Sequence, residues 1–230
     1  MIRVALLDGA LPSAFPDLAA QRRFAKADGA MSASVHALAM ATTIHRHAPH
    51  VNFVNGIIFP GRLVTSVAVL CDALEWIGQD PPEIVHCSFG LVRASLELEM
   101  RVRALEKAGS LIVASAPARG EPVYPATLEG VVSVQGDARC KPEDVARLDL
   151  PGAIFGACVL SPEAPDIRGA SIAAAHVCGM LAADWAGGAA ETLRVFAHRT
   201  RYHGCERRIG QAVPTGSRWK TGGRPGVPQA

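Results

Sequence analysis

The sequence predicts an α/β fold in which helices flank a mostly parallel central sheet. Short, nearly continuous apolar runs of strand length alternate along the chain with longer segments of helical periodicity. This alternation indicates β-α-β units, because parallel strands need a crossover connection that is usually a helix. With 230 residues, 49% of them hydrophobic, the chain is long enough to bury the core that such layers require.

The predicted elements alternate from the N-terminus onward. Residues 2–7 form an apolar run typical of a strand buried on both faces, and Asp8 follows it at the position where α/β sheets place their sites. A helix is predicted over 35–45, with Ser32 or Ser34 as its cap and His36 in its first turn. The other predicted elements are strands at 51–59, 84–88, 111–114 and 131–134, helices at 65–77, 95–108 and 171–185, and a short helix between 188 and 196.

The net charge of +2 hides an asymmetry between the body and the end of the chain. From Arg194 onward there are eight basic residues and one acidic residue, against 15 and 20 in the rest. A basic end is compatible with an acidic partner and equally with a solvated extension, which we expect to be flexible from Gly210. No nucleic-acid motif accompanies the charge, so no nucleic-acid partner is predicted.

Membrane insertion and export are not expected. No apolar run approaches the roughly 20 residues of a membrane-spanning helix. The chain begins at the first predicted strand, without a basic region or a small-residue cleavage site, so we expect neither an export signal nor a pro-region. The six cysteines form no C-x-x-C pair and mostly lie in apolar segments, which favours a reduced, cytoplasmic protein.

Residues 169–179, G-A-S-I-A-A-A-H-V-C-G, carry the strongest functional signal. They open the predicted helix at 171–185, which is small or apolar almost throughout and should therefore be buried. Ser171 in its first turn would be held rigidly beside free backbone N–H groups. The segment resembles the nucleophile signature of subtilisin-like serine proteases, G-T-S-M-A-x-P-H-V-A-G, with Ala175 in place of proline. Taken alone, it is also compatible with a packed helix whose serine is a cap.

Two further motifs precede this serine in the order Asp, His, Ser that subtilisin has. V-A-L-L-D ends at Asp8 and is followed by P-D-L at 16–18, as in the family's aspartate motif. The segment 36–44 resembles the family's H-G-T-H-V-A-G-T helix with three replacements. The resemblance implies a triad in which Ser171 attacks a peptide carbonyl, His36 takes its proton and Asp8 orients the imidazole. Separately, Asp8 could be a cap and His36 a surface histidine.

The resemblance extends over residues 2–187 and implies the subtilisin-like three-layer sandwich. We therefore divide the chain into a peptidase domain at 1–190 and a basic extension at 191–230. In this family a peptide substrate adds as a strand between two segments of the enzyme. The matching positions are Leu63, Val64 and Thr65 on one side, Ser88, Phe89 and Gly90 on the other, and Ala114, Ser115 and Ala116 as the far wall of the pocket.

One position departs from the family. Its oxyanion asparagine lies in A-A-G-N-x-G, whereas this chain reads S-A-P-A-R-G at 115–120 and places Ala118 there. Loss of that donor in subtilisin lowers turnover by ~10²–10³-fold. The backbone N–H of Ser171 would remain, and Arg119 is a candidate replacement. The alternative is a catalytically impaired peptide-binding or scaffold protein.

Together, these features imply a serine endopeptidase that removes a leader from a peptide or protein precursor. In its compactness the chain resembles subtilisin-like maturases such as the one associated with quinohemoprotein amine dehydrogenase assembly. No cofactor is expected. No metal is predicted either, because a complete ligand set is not evident in either of the two candidate clusters, His45 with His47 and His50, and His198 with His203 and Cys205.

Overall fold

The computed structural model describes residues 1–26 and 29–206 and confirms the α/β fold. Its central sheet has nine strands in the order β2-β3-β1-β4-β5-β6-β8-β7-β9. Neighbouring strands are parallel except β7 and β8, which are antiparallel. The strands are β1 Arg3–Asp8, β2 Leu18–Arg23, β3 Asn52–Ile57, β4 Ile84–Cys87, β5 Leu111–Ser115, β6 Val132–Gly136, β7 Val145–Leu150, β8 Ala153–Ala157 and β9 Tyr202–His203.

Helices cover both faces of the sheet and make three layers. One core cluster joins α1, α4 and α5 to one face, and a second joins α2 and α3 to the other. As predicted, α4 is buried along most of its length. The helices are α1 Ser32–His47, α2 Val67–Gly78, α3 Leu96–Lys107, α4 Ala170–Ala183 and α5 Ala189–Ala197.

The predicted cap of α1 is wrong. The N-cap residue is Met31, and no side chain caps the helix. The hydroxyl of Ser32 instead donates to the carbonyl of Gly61 at 2.9 Å. The start of α1 is thereby tied to the loop after β3, because the backbone N–H of Ala33 donates to the same carbonyl at 2.7 Å.

Close packing of α1 against α4 depends on a glycine. A Cβ atom added at Gly179 of α4 would lie 2.7 Å from the carbonyl oxygen of Ile44 in α1. Only a residue without a side chain allows the backbones to approach this closely. Both helices begin at the carboxyl edge of the parallel strands, so their first turns face the same side of the sheet.

Residues beyond 190 pack on the folded body. The predicted boundary at 190/191 falls inside α5, whose Phe196 is fully buried and meets Phe155 edge to face at 5.4 Å between ring centroids. Farther along, β9 pairs with β7. The segment predicted to be flexible from Gly210 lies outside the described residues.

Two sequence-based expectations concern membranes and cysteines. Over the described ranges, no helix has both the length and the apolar character that crossing a bilayer demands. All six cysteines are unpaired; five are buried, and Cys205 is exposed.

We predict that Phe196 contributes to the stability of the main body. Phe196→Ala should lower the free energy of unfolding by about 3–5 kcal/mol, because it leaves a cavity against Phe155. Val195→Ala, at a neighbouring residue that is 39% exposed, should cost less than about 1 kcal/mol. Urea denaturation measures both, and equal losses would show that α5 is a detachable extension.

Candidate active site

Asp8 lies at the carboxyl end of β1 and is fully buried. Its carboxylate accepts hydrogen bonds from three groups on different parts of the chain. His36 Nδ1 lies 2.8 Å from Oδ2, the hydroxyl of Ser88 donates to Oδ2 at 2.5 Å, and the backbone N–H of Gly9 donates to Oδ1 at 2.8 Å. These hydrogen bonds replace the ones that the buried carboxylate would otherwise make with water.

The loop after Asp8 passes very close to the start of α1. A Cβ atom added at Gly9 would lie 2.2 Å from the carbonyl oxygen of Ala33. A glycine is therefore required for α1 to begin beside β1. His36 opens the second turn of α1, and the close approach of the two segments brings its ring to the Asp8 carboxylate.

His36 is oriented by Asp8 and reaches the surface of a cleft. Its side chain is 11% exposed, and Nδ1 faces both carboxylate oxygens. When Nδ1 carries the hydrogen and donates it to Asp8, the neutral imidazole has a free lone pair on Nε2. This is the tautomer that a general base requires.

Ser171 is the second residue of α4 and lines the same cleft as His36. Its hydroxyl donates to the backbone carbonyl of Ser88 at 3.3 Å. The predicted Asp8–His36 link is thus formed, whereas the Ser171 hydroxyl is bonded to a carbonyl and not to the imidazole. Catalytic hydrogen bonds are often formed only when substrate is bound.

The cleft has a volume of about 340 Å³, and six of its ten lining residues are apolar or glycine. Six of the nine predicted substrate-binding residues line it together with His36 and Ser171: Leu63, Val64, Thr65, Ser88, Phe89 and Gly90. Two lining residues, Phe59 and Leu91, were not predicted. Leu91 directly follows the predicted segment 88–90, and Phe59 ends the predicted strand at 51–59, but an apolar residue at either place is not distinguishable from core by sequence.

The predicted far wall is not part of this cleft. Ala114, Ser115 and Ala116 are buried in and just after β5, and the N–H of Ala116 donates to the carbonyl of Val134 at 2.7 Å. Ala118 and Arg119 lie in the exposed turn that follows. Arg119 forms no hydrogen bond or ion pair with any described residue, so its side chain is not tied to another site.

A second histidine near Asp8 was missed by the sequence analysis. His86 of β4 is fully buried, and neither ring nitrogen has a partner among the described residues. Burial lowers its pKa to about 4, although the nearby Asp8 carboxylate opposes the shift. At neutral pH it is therefore uncharged and does not compete with His36 for Asp8. The alternation of β4 was a usable signal, because His86 shares a face with Ser88.

The two histidine clusters weighed as metal sites do not converge. His47 Nε2 lies 2.8 Å from His176 Nδ1, while His45 lies 3.6 Å from the carboxylate of Asp17. Across residues 1–26 and 29–206, no three histidine, cysteine, aspartate or glutamate side chains are grouped as metal ligands.

Comparisons with known proteins establish the fold. No family model matches the chain, and no curated protein matches it. Among solved structures, a serine-to-alanine mutant of the protease domain of PatA matches with a TM-score of 0.61 and 20% identity, over 86% of this chain and 82% of that one. The prenylagaramide maturation protease PagA matches with a TM-score of 0.58 and 20% identity, over 86% and 78%. The predicted subtilisin-like fold is thereby confirmed.

We predict that the Ser88 hydroxyl contributes more to stability than an ordinary buried serine. Ser88→Ala removes a donor to a buried carboxylate and should cost about 1.5–3 kcal/mol of unfolding free energy. Ser110→Ala is the matched control, because Ser110 is also buried but donates to the neutral carbonyl of Pro82. Its expected cost is about 1 kcal/mol. Urea denaturation at pH 7 that gave the reverse order would contradict an ionised Asp8 held by Ser88.

Proposed function

We propose that this protein is a serine endopeptidase with Asp8, His36 and Ser171 as its catalytic residues. One observation carries the proposal: the buried Asp8 carboxylate holds His36 Nδ1 at 2.8 Å, and the ring shares a cleft with the serine that opens α4. The fold of two solved protease domains supports it. In this arrangement Asp8 is the orienting group, His36 the base and Ser171 the nucleophile, which are the three roles that nucleophilic catalysis needs.

In the proposed reaction, Ser171 Oγ leaves the Ser88 carbonyl and attacks a peptide carbonyl in the cleft. His36 Nε2 takes the hydroxyl proton and returns it to the departing amine. Asp8 stabilises the imidazolium that forms between these steps, and its bonds from Ser88 and Gly9 keep the carboxylate in place. A water molecule, deprotonated by His36 as it attacks, then hydrolyses the ester between the acyl group and Ser171, and the proton returns to Ser171 Oγ.

Stabilisation of the oxyanion would come from backbone N–H groups at the start of α4, including that of Ser171. The first N–H groups of a helix have no intrahelical acceptor and carry a partial positive charge. Ala118 supplies no side-chain donor. We propose Arg119 as the additional donor, since its side chain is exposed in the turn after β5 and has no partner in the described part of the chain.

We further propose that the substrate is one peptide or protein precursor, cleaved in an extended segment. Leu63 and Val64 are 47% and 69% exposed and line the cleft together with Ser88 to Gly90; we propose that these two segments are its opposite walls. These walls suit an extended chain that adds as a strand. PagA is described as a maturation protease, which supports processing over general degradation. We expect the reaction to take place in the cytoplasm.

A peptide-binding protein without turnover is the second candidate. Two observations favour it: Ala118 lacks the family's oxyanion donor, and the Ser171 hydroxyl is bonded to a carbonyl. Such a protein would keep the cleft and its walls but would not activate the serine.

An active-site serine probe separates the two candidates. A fluorophosphonate should label the wild-type protein, but not Ser171→Ala, and His36→Ala should label at least about a hundredfold more slowly because the general base is lost. Ser34→Ala is the control, since Ser34 is likewise partly buried in the first turn of a helix. Mass spectrometry gives the labelled fraction. No labelling of wild type at any pH would favour the binding protein.

The role of Arg119 has a separate test. Arg119→Ala should lower the second-order rate constant of labelling at least about tenfold, because an oxyanion donor is worth several kcal/mol. Arg93→Ala, another exposed arginine, should leave the rate constant within about twofold. An unchanged rate in Arg119→Ala would leave the backbone N–H groups as the oxyanion donors.

A further inference from the structure

The strand β2 forms an open edge of the sheet. It is the terminal strand, it pairs with β3 on its inner side, and residues 19–23 are all exposed. The N–H of Phe24 donates inward to the carbonyl of Ile57 at 3.0 Å, so the preceding amide, that of Arg23, faces outward. Unpaired N–H and C=O groups along such an edge are a template for another extended chain.

This edge is basic on a body that is acidic. Arg22, Arg23 and Lys26 are exposed, and none of them forms an ion pair with a residue of the described ranges. Arg22 lies over the ring of Phe24, with its guanidinium carbon 5.1 Å from the ring centroid. All 21 acidic residues precede position 207, against 18 of the 23 basic ones. Positive charge concentrated here would attract an acidic segment.

Side-chain hydrogen bonds anchor the edge to the folded body, and strand register places Arg23 level with Asp8. Arg23 is in register with Ile57, which is in register with Asp8. Two strand spacings, about 10 Å, therefore separate Arg23 from the Asp8 backbone. The amide of Gln21 bonds Asn55 and both backbone groups of Leu11. A strand fixed in this way loses little entropy when a partner binds.

We infer that β2 is a docking edge for an extended, acidic segment of the precursor, separate from the residues that enter the cleft. The identity of the occupant rests on the proposed function. The segment pairs with the outward amides of β2 and places its carboxylates against Arg22 and Arg23. The competing explanation is that these arginines, with the register shift between Leu18 and Ala20, only prevent self-association of the edge.

Fluorescence anisotropy tests the inference on Ser171→Ala protein at low salt, with a labelled peptide that repeats two glutamates and two threonines. An added strand of this sequence carries carboxylates on both faces, as Arg22 and Arg23 require. Arg22→Glu combined with Arg23→Glu should weaken binding about tenfold or more, through lost attraction and new repulsion. Lys107→Glu combined with Lys141→Glu is the matched control, since both lysines are exposed and the charge change is the same. It should leave affinity within about threefold. Circular dichroism checks that all variants fold.

A second probe tests strand pairing apart from charge. The same peptide, N-methylated at alternate residues, keeps its carboxylates but cannot form one edge of a ladder, and it should bind about tenfold more weakly. Equal weakening by both charge-reversal pairs, or equal binding of the methylated peptide, would overturn the inference. The inference would also be overturned if the peptide did not bind Ser171→Ala protein while light scattering showed that Arg22→Glu/Arg23→Glu self-associates, since the arginines would then only protect the edge. None of these results depends on serine labelling, so this inference and the proposed function fail separately.

Discussion

The rest of the site depends on the hydrogen bonds that stabilise one buried carboxylate. Asp8 has no exposed surface, and an ionised group in that position is tolerated only with several donors. The donors come from α1, from the segment after β4 and from the loop after β1. Each of these elements must therefore be in place before the carboxylate is satisfied, so the sheet and the helix above it are specified together with the orientation of His36.

Two close backbone contacts position the helices that carry His36 and Ser171. Gly9 and Gly179 lie where any Cβ atom would collide with a carbonyl oxygen of α1. One contact fixes the start of α1 beside β1, and the other fixes α4 against the end of α1. Because both positions are glycine, the second turn of α1, which carries His36, and the first turn of α4, which carries Ser171, can face one cleft.

The sequence predicted the interior of the fold better than its edges. β1 and β5 are nearly continuous apolar runs, and β4 and β6 are apolar apart from one or two polar residues, since helices cover both faces of the sheet there. Four strands were missed: β2 because five of its six residues are exposed, β7 and β8 because they pair antiparallel without a helix between them, and β9 because it has only two residues. The Asp8–His36 pair could be anticipated from motifs. The Ser88 bond to Asp8 could not, because it depends on how β4 is registered against β1.

For the proposed endopeptidase, the absence of the family's asparagine donor bears on what kind of substrate would suit the cleft. Its absence costs ~10²–10³-fold in turnover in subtilisin, a loss that leaves the nucleophile, the base and the helix N-terminus in place. A precursor held at a second site meets the cleft at an effective concentration of about a millimolar. For a precursor at about micromolar concentration, that tethering raises cleft occupancy by up to about a thousandfold. The gain in cleft occupancy from the docking edge would therefore offset the loss in turnover. A substrate that binds the cleft alone would have the loss without the gain, and it would be cleaved too slowly to compete.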